Sequence, residues 1–253
     1  MNLLKEAFFR LATKPALPPD RASILMYHSV SAGADYFMNV EPKDFERQMA
    51  YLAEKKTPVI AFGELVRRLH SNQPLGGAVV LTFDDGYRDN YTVAFPILKK
   101  YGFPATIFVT TDMIGKVDKR NLARLSIEEI KEMEASGLID IEPHTKTHPK
   151  LATLFATVAE QEIQGSKHAI EEVLGKSALI FAYPYGNFND ETERLVRDAG
   201  FVAAVSVGEG TVHAKSDSYR LPRNSIDRST TFAQFKGKIS TTIDLYVRLK
   251  TFL

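Results

Sequence analysis

Cysteine is absent from this chain of 253 residues, which excludes disulfides and thiolate metal sites and leaves histidine and carboxylate as the available metal ligands. Net charge is nearly absent as well: 32 Lys plus Arg stand against 31 Asp plus Glu, a balance of +1. Nothing in that balance attracts DNA, RNA or a strongly acidic partner, and no nucleic-acid partner is expected. No stretch of the sequence reaches the roughly 18 uncharged apolar residues that a membrane-spanning helix needs. The opening segment interrupts its apolar residues with Lys5, Glu6 and Arg10, so the continuous apolar region of a secretion signal is missing and a soluble, cytoplasmic protein is expected.

What is present suffices for a core. An apolar content of 44% supports one full domain at this length, expected over residues 21–253 behind an amphipathic helical extension over 1–20 that Pro18-Pro19 sets off. Leu3, Leu4, Ala7, Phe8 and Leu11 recur at helical spacing, and Leu245, Leu249 and Phe252 do so near the other end. These stripes either pack onto the outside of the fold or allow peripheral contact with the inner face of a membrane.

Short apolar runs at 24–27, 59–61, 78–83, 105–109, 139–142, 180–183 and 202–207 read as strands buried on both faces. Between them, helices are expected over 42–54, 89–101, 126–135, 154–174 and 189–199, with another inside 230–253. Ser126 and Glu129 form a capping pair, and Gly102, Gly137, Gly175 and Gly200 mark stops. This alternation predicts an α/β fold, a distorted (β/α) barrel with about seven parallel strands.

Chemistry concentrates at three strand ends. The run 78–83 ends in Asp84-Asp85-Gly86, which places two carboxylates at the carboxyl end of a parallel strand, where such folds carry their sites. Gly86 supplies a turn that lets both acids reach one cavity; a turn followed by a helix cap explains the same residues. After 139–142 comes His144-Thr145-Lys146-Thr147-His148, two imidazoles four residues apart. With one carboxylate they make three ligands and leave an open position for water. The third end is Tyr183-Pro184-Tyr185-Gly186, either a turn or the wall of a sugar site.

Together these segments resemble the NodB-type polysaccharide deacetylases. That family's T-F-D-D-G motif stands as Thr82-Phe83-Asp84-Asp85-Gly86, its H-[ST]-x-x-H as His144 to His148, and its P-Y-G as Pro184-Tyr185-Gly186. The resemblance runs from about residue 24 to 227 and fits a branch that starts with Tyr27-His28-Ser29 and carries F-A-Y-P-Y-G. It implies hydrolysis of the N-acetyl amide of a sugar. Asp84 would be the base; Asp85, His144 and His148 would hold one divalent ion, zinc by choice, with cobalt, nickel or iron also compatible with the ligand set. The Tyr185 N–H would support the oxyanion, while Tyr183, Pro184, Gly186, Arg220 and Arg223 would face the substrate.

Two departures stand out. The family's arginine before P-Y-G is replaced by Ala182, so another group must orient Asp84; Arg220 and Arg223 are the candidates. The family's L-x-H motif, which carries the general acid, has no clear copy: His213 follows Thr211-Val212, whereas His28, at the end of the first strand, fits the rim better. These departures keep a second reading open, an inactive carbohydrate-binding protein on the same fold. A glycosidase is disfavoured, because its two acids need about 5 to 9 Å between them and would leave the histidine pair unused. The expected substrate is an N-acetylated polysaccharide or oligosaccharide, or a lipid-linked or nucleotide-linked sugar.

Overall fold

The computed structural model describes residues 2–12 and 17–251. Helix α1 (Asn2–Ala12) precedes β1 (Arg21–Tyr27), the short β2 (Ser29–Val30) and β3 (Asn39–Val40), then α2 (Pro42–Glu54), α3 (Phe62–His70) and β4 (Ala78–Asp84). Next come α4 (Phe95–Tyr101), β5 (Ala105–Val109), α5 (Ile127–Ala135), β6 (Ile139–Pro143), α6 (Ala156–Leu174), β7 (Ile180–Ala182), α7 (Asp190–Asp198) and β8 (Ala203–Val205). The described chain ends with β9 (Val212–His213), β10 (Asn224–Ser225), α8 (Phe232–Lys238) and α9 (Thr242–Thr251).

Every residue of β4 is buried, as are 22–27 of β1, because one face of the sheet packs under helices and the other fills the barrel interior against β7 and β8, which leaves no solvent side to alternate towards. The sheet runs β10-β1-β4-β5-β6, with β9 antiparallel on β1. Pairing of Ile24 with Val80 and of Tyr27 with Phe83 sets His28 and the Asp84-Asp85 pair at one rim. Strands β7 and β8 pair separately, and a bridge from Val205 to Leu221 leads back towards β10. Between β6 and β7, side chains span the seam. The Glu142 carboxylate accepts the N–H groups of Leu179 and Ile180, and His144 Nδ1 meets the Ala182 carbonyl at 2.8 Å. The result is a distorted barrel.

Sequence and structure differ at four places. Residues 59–61 make one bridge, Val59 to Val79, because the chain turns into α3 directly after Ala61. That helix, unforeseen, buries Phe62, Leu65, Val66 and Leu69, the spacing of one apolar face. Beside β1 the sheet instead gains β10, two polar residues without an apolar run to announce them. The helix expected over 89–101 begins as a π-helical turn, Asn90–Ala94, before α4.

Helix α1 packs on the outside of the barrel. Phe9 is fully buried, and its ring fills the space where a Cβ on Gly237 of α8 would stand, 2.0 Å away. Phe8 and Phe9 also meet Tyr246 of α9, with centroids 5.7 and 5.1 Å apart. Phe252 and the side chains of Leu3 and Leu4 lie outside the described residues.

Candidate metal and catalytic site

Three loops at the carboxyl rim adopt backbone conformations that bring the site together. Asp84 closes β4, and Asp85 (φ 74°) and Gly86 (φ 62°) follow in left-handed conformations, so the chain turns sharply and both carboxylates reach one cavity. Thr145 (φ 63°), His148 (φ 65°) and Tyr185 (φ 59°) are left-handed too. Each such residue costs on the order of 1 kcal/mol, a strain that accumulates where surrounding contacts fix the chain. The Thr145 hydroxyl accepts the His148 N–H at 3.0 Å, which folds His144 to His148 into a tight loop with ring centroids 4.8 Å apart.

Asp85, His144 and His148 each offer one ligand atom, and these atoms lie within 4.8 Å of one another. Tetrahedral bonds of about 2.0–2.1 Å require ligand separations of roughly 3.3 Å. Asp85 Oδ1 and His148 Nε2 stand 3.3 Å apart, and His144 Nε2 is 4.0 Å from the same oxygen. The contact of His144 Nδ1 with the Ala182 carbonyl fixes that nitrogen as the N–H and turns Nε2 into the site, the orienting hydrogen bond of a metal-binding imidazole. Burial lowers the His144 pKa to about 4, so the ring is neutral at physiological pH. The residues fit a divalent ion with nitrogen and oxygen ligands.

Arg223 holds Asp84. Its Nη1 donates to Oδ1 at 2.6 Å and its Nη2 to Oδ2 at 2.7 Å, and further bonds to the Thr82 hydroxyl and the Ser206 carbonyl fix the guanidinium. Burial pushes the Asp84 carboxyl up, but Arg223, and after it His144, outweigh this and hold it well below the ordinary carboxylate range. His28 lines the same cavity. Asn90 donates to its carbonyl at 2.7 Å, its Nδ1 has no partner among the described residues, and burial lowers its pKa.

The cavity, of about 380 Å³, is lined by Asp84, Asp85, His28, His144, His148 and Tyr185, with further walls from other loops. Tyr185 is 60% exposed at the mouth, its ring 4.6 Å from that of His148. Gly186 lets this turn approach the opposite wall, since a Cβ there would stand 2.5 Å from the Val207 nitrogen. Pro184 is buried beneath the turn. The structure does not bring Tyr183 or Arg220 to the cavity. The Tyr183 ring stacks on Phe188, and Arg220 pairs with Asp190 and Glu193 on α7. His213, exposed on β9, is likewise absent from the lining.

Arg124, which no sequence motif marks, donates to the Asp85 carbonyl at 2.7 Å and stands 3.7 Å from its carboxylate. A bridge from Tyr87 to Arg124, across 37 residues of sequence, places it there, a long-range pairing with no local signature. Tyr36, Phe37 and Met38, between β2 and β3, form a further apolar wall of the cavity that no motif announces.

Comparison with known proteins gives concordant results. Residues 71–204 match the family model described as polysaccharide deacetylase. The poly-beta-1,6-N-acetyl-D-glucosamine N-deacetylase of Staphylococcus epidermidis is 30% identical over 193 residues, covering 73% of this chain and 67% of that relative. The deacetylase PplD of Streptococcus pyogenes, in complex with acetate, superposes with a TM-score of 0.79 at 28% identity, over 88% of this chain and 99% of PplD. IcaB from Ammonifex degensii gives 0.80 at 25% identity, over 89% and 99% of the two chains.

Proposed function

We propose that this chain, which belongs to the polysaccharide deacetylase family and is thus a carbohydrate deacetylase, holds one divalent metal ion through Asp85, His144 and His148 and uses Asp84 as its base. The observation that carries this reading is the convergence of those three ligand atoms beside a carboxylate that Arg223 keeps ionised. Bound there, a divalent ion supplies Lewis acidity towards the amide carbonyl and lowers the pKa of water. Zinc suits the ligand set, and cobalt, nickel or iron are compatible with it.

The chain's own residues carry the remaining steps. Asp84, held ionised by Arg223, takes a proton from the attacking water. The Tyr185 N–H stabilises the oxyanion as the amide carbon becomes tetrahedral. The proton that Asp84 takes from water passes on to the departing sugar nitrogen, with neutral His28, which lines the same cavity, as its relay, so the products are acetate and a free amine. Arg223 acts as a positioning residue, in the role that Ala182 vacates. This answers the main objection raised by the sequence and favours an enzyme over an inactive binding protein.

The substrate is an N-acetylated sugar unit, by analogy with the staphylococcal relative's named polymer. Tyr185 and Phe37, 60% and 58% exposed at the mouth, offer aromatic faces to a pyranose ring. No helix among the described residues is long and apolar enough to cross a membrane. Contact with the cytoplasmic face of a membrane is part of the proposal, supported by exposed Leu11, Leu245 and Leu249 on α1 and α9, flanked by Arg10, Arg248 and Lys250. Pelleting with anionic vesicles tests that contact, and recovery in the supernatant counts against it.

Acetate release tests the reaction. Metal-stripped protein is expected to release none from N-acetylglucosamine oligomers and to regain release with one equivalent of zinc or cobalt. Equal release by stripped and reloaded protein would contradict the metal assignment.

A further inference from the structure

We infer that a basic bay adjoining the catalytic cavity is a subsite for a phosphate ester attached to the N-acetylated sugar. The inference rests on the deacetylase reading and names the substrate class for that same site. The bay encloses about 530 Å³ and is lined by Lys5, Val207, Glu209, Arg223, Val247 and Lys250 among others. It shares Val207 and Ser225 with the catalytic cavity, and Arg223, which also lines it, is the residue that grips Asp84. A sugar placed at the metal site thus has this bay as its neighbour at the rim.

The charges in the bay do not cancel. Glu209, on the loop after β8, faces three ammonium groups: Lys238 of α8 at 3.1 Å, Lys5 of α1 at 3.8 Å and Lys250 of α9 at 3.9 Å. Lys238 has a side chain only 4% exposed and donates a hydrogen bond to Glu209, so these two form a closed pair. Lys5 and Lys250 stand beyond hydrogen-bond distance, with side chains 27% and 69% exposed. Among the described residues these three ammonium groups, of which Lys5 and Lys250 line the bay, leave a surplus of two positive charges around the one carboxylate, in a chain whose whole net charge is +1.

Holding ammonium groups together is unfavourable unless an anion joins them. A phosphate carries the matching charge and several strong acceptor oxygens for such donors. A neutral glycan offers neither. The complementary ligand is therefore an N-acetylhexosamine bearing a phosphate ester, whether the rest of that ester is a nucleotide or a polyprenyl lipid.

The test begins with the full chain, metal-stripped, titrated calorimetrically with N-acetylglucosamine 1-phosphate and with N-acetylglucosamine. Wild type is expected to bind the phosphorylated sugar at least tenfold more tightly, with an advantage that shrinks as salt is added. Lys5→Gln/Lys250→Gln is expected to abolish the advantage. Because Lys5 also lies 5.2 Å from the Tyr246 ring, Lys250→Gln alone serves if the double variant unfolds, with an expected loss of about threefold. Acetate release by reloaded protein is then compared on a uridine diphosphate sugar, a short polyprenyl diphosphate sugar and a neutral β-1,6-linked tetramer, which separates the two sources of phosphate. The variant should lose about tenfold in kcat/KM on a phosphorylated substrate and nothing on the tetramer. Equal binding of both sugars by wild type, or equal losses on all substrates, overturns the inference. Phosphate-selective binding without acetate release from any substrate supports the subsite and contradicts the deacetylase reading.

Discussion

Arg223 grips Asp84 with two parallel hydrogen bonds, 2.6 and 2.7 Å long, and both side chains are almost entirely closed to solvent. The planar fork of the guanidinium fixes the carboxylate in rotation as well as in charge.

Lysine at position 223 would keep the charge and lose the fork. Arg223→Lys is expected to lower kcat by about a hundredfold, the scale of a misplaced catalytic group, with a smaller change in KM. Arg223→Gln leaves a buried carboxylate unpaired and should cost on the order of 3–5 kcal/mol of stability. Steady-state kinetics and urea unfolding check the two halves separately. Unchanged kcat in the lysine variant would remove the positioning role.

Gly186 has φ 63° and no room for a Cβ, which would stand 2.5 Å from the Val207 nitrogen and 2.8 Å from its Cβ. Gly186→Ala should therefore cost about 1 kcal/mol or more and push back the wall that Val207 gives to the cavity. A lower melting temperature with a raised KM is expected. A KM equal to that of wild type would show that this wall does not touch substrate.

Glu142 gives the fold a pH dependence. Burial pushes its carboxyl up to about 8, against the N–H groups of Ile180 and Leu179 that favour the ionised form. The ordinary value is 4.5, so the folded protein binds this proton more tightly than the unfolded chain does. Its contribution is fully present below about pH 4.5 and is lost as the pH rises through about 8. At about 1.4 kcal/mol per pKa unit the loss amounts to several kcal/mol. Glu142→Gln keeps an acceptor oxygen and no ionisation, so the stability difference between variant and wild type should grow in the variant's favour from pH 5 to pH 8.5. Parallel unfolding curves across that range would show that Glu142 is not the group responsible.

Much of this was legible in the sequence, for local reasons. The strand ends announce themselves because apolar runs buried on both faces stop abruptly at Asp84, at His144 and at Pro184, and the left-handed turn at Asp85-Gly86 has its glycine in place. The three motifs carried the family. What was illegible depends on long-range pairing. Arg124 reaches Asp85 through a bridge to Tyr87, and β10 is recognisable only by its register with Leu25 and Met26. Of the two arginines that were candidates to replace the residue missing at Ala182, the sequence could not choose. The choice was made by which one follows the bridge at Leu221 into the barrel interior, Arg223, and which remains on the surface with Asp190, Arg220.

The most direct test of the account compares wild type with Asp84→Asn, both reloaded with one equivalent of zinc, for metal content and for acetate release from an N-acetylglucosamine oligomer. The variant is expected to keep its metal, since Asp84 is not among the three ligands, and to lose at least a thousandfold in acetate release. Undiminished release by the metal-loaded variant would contradict the account.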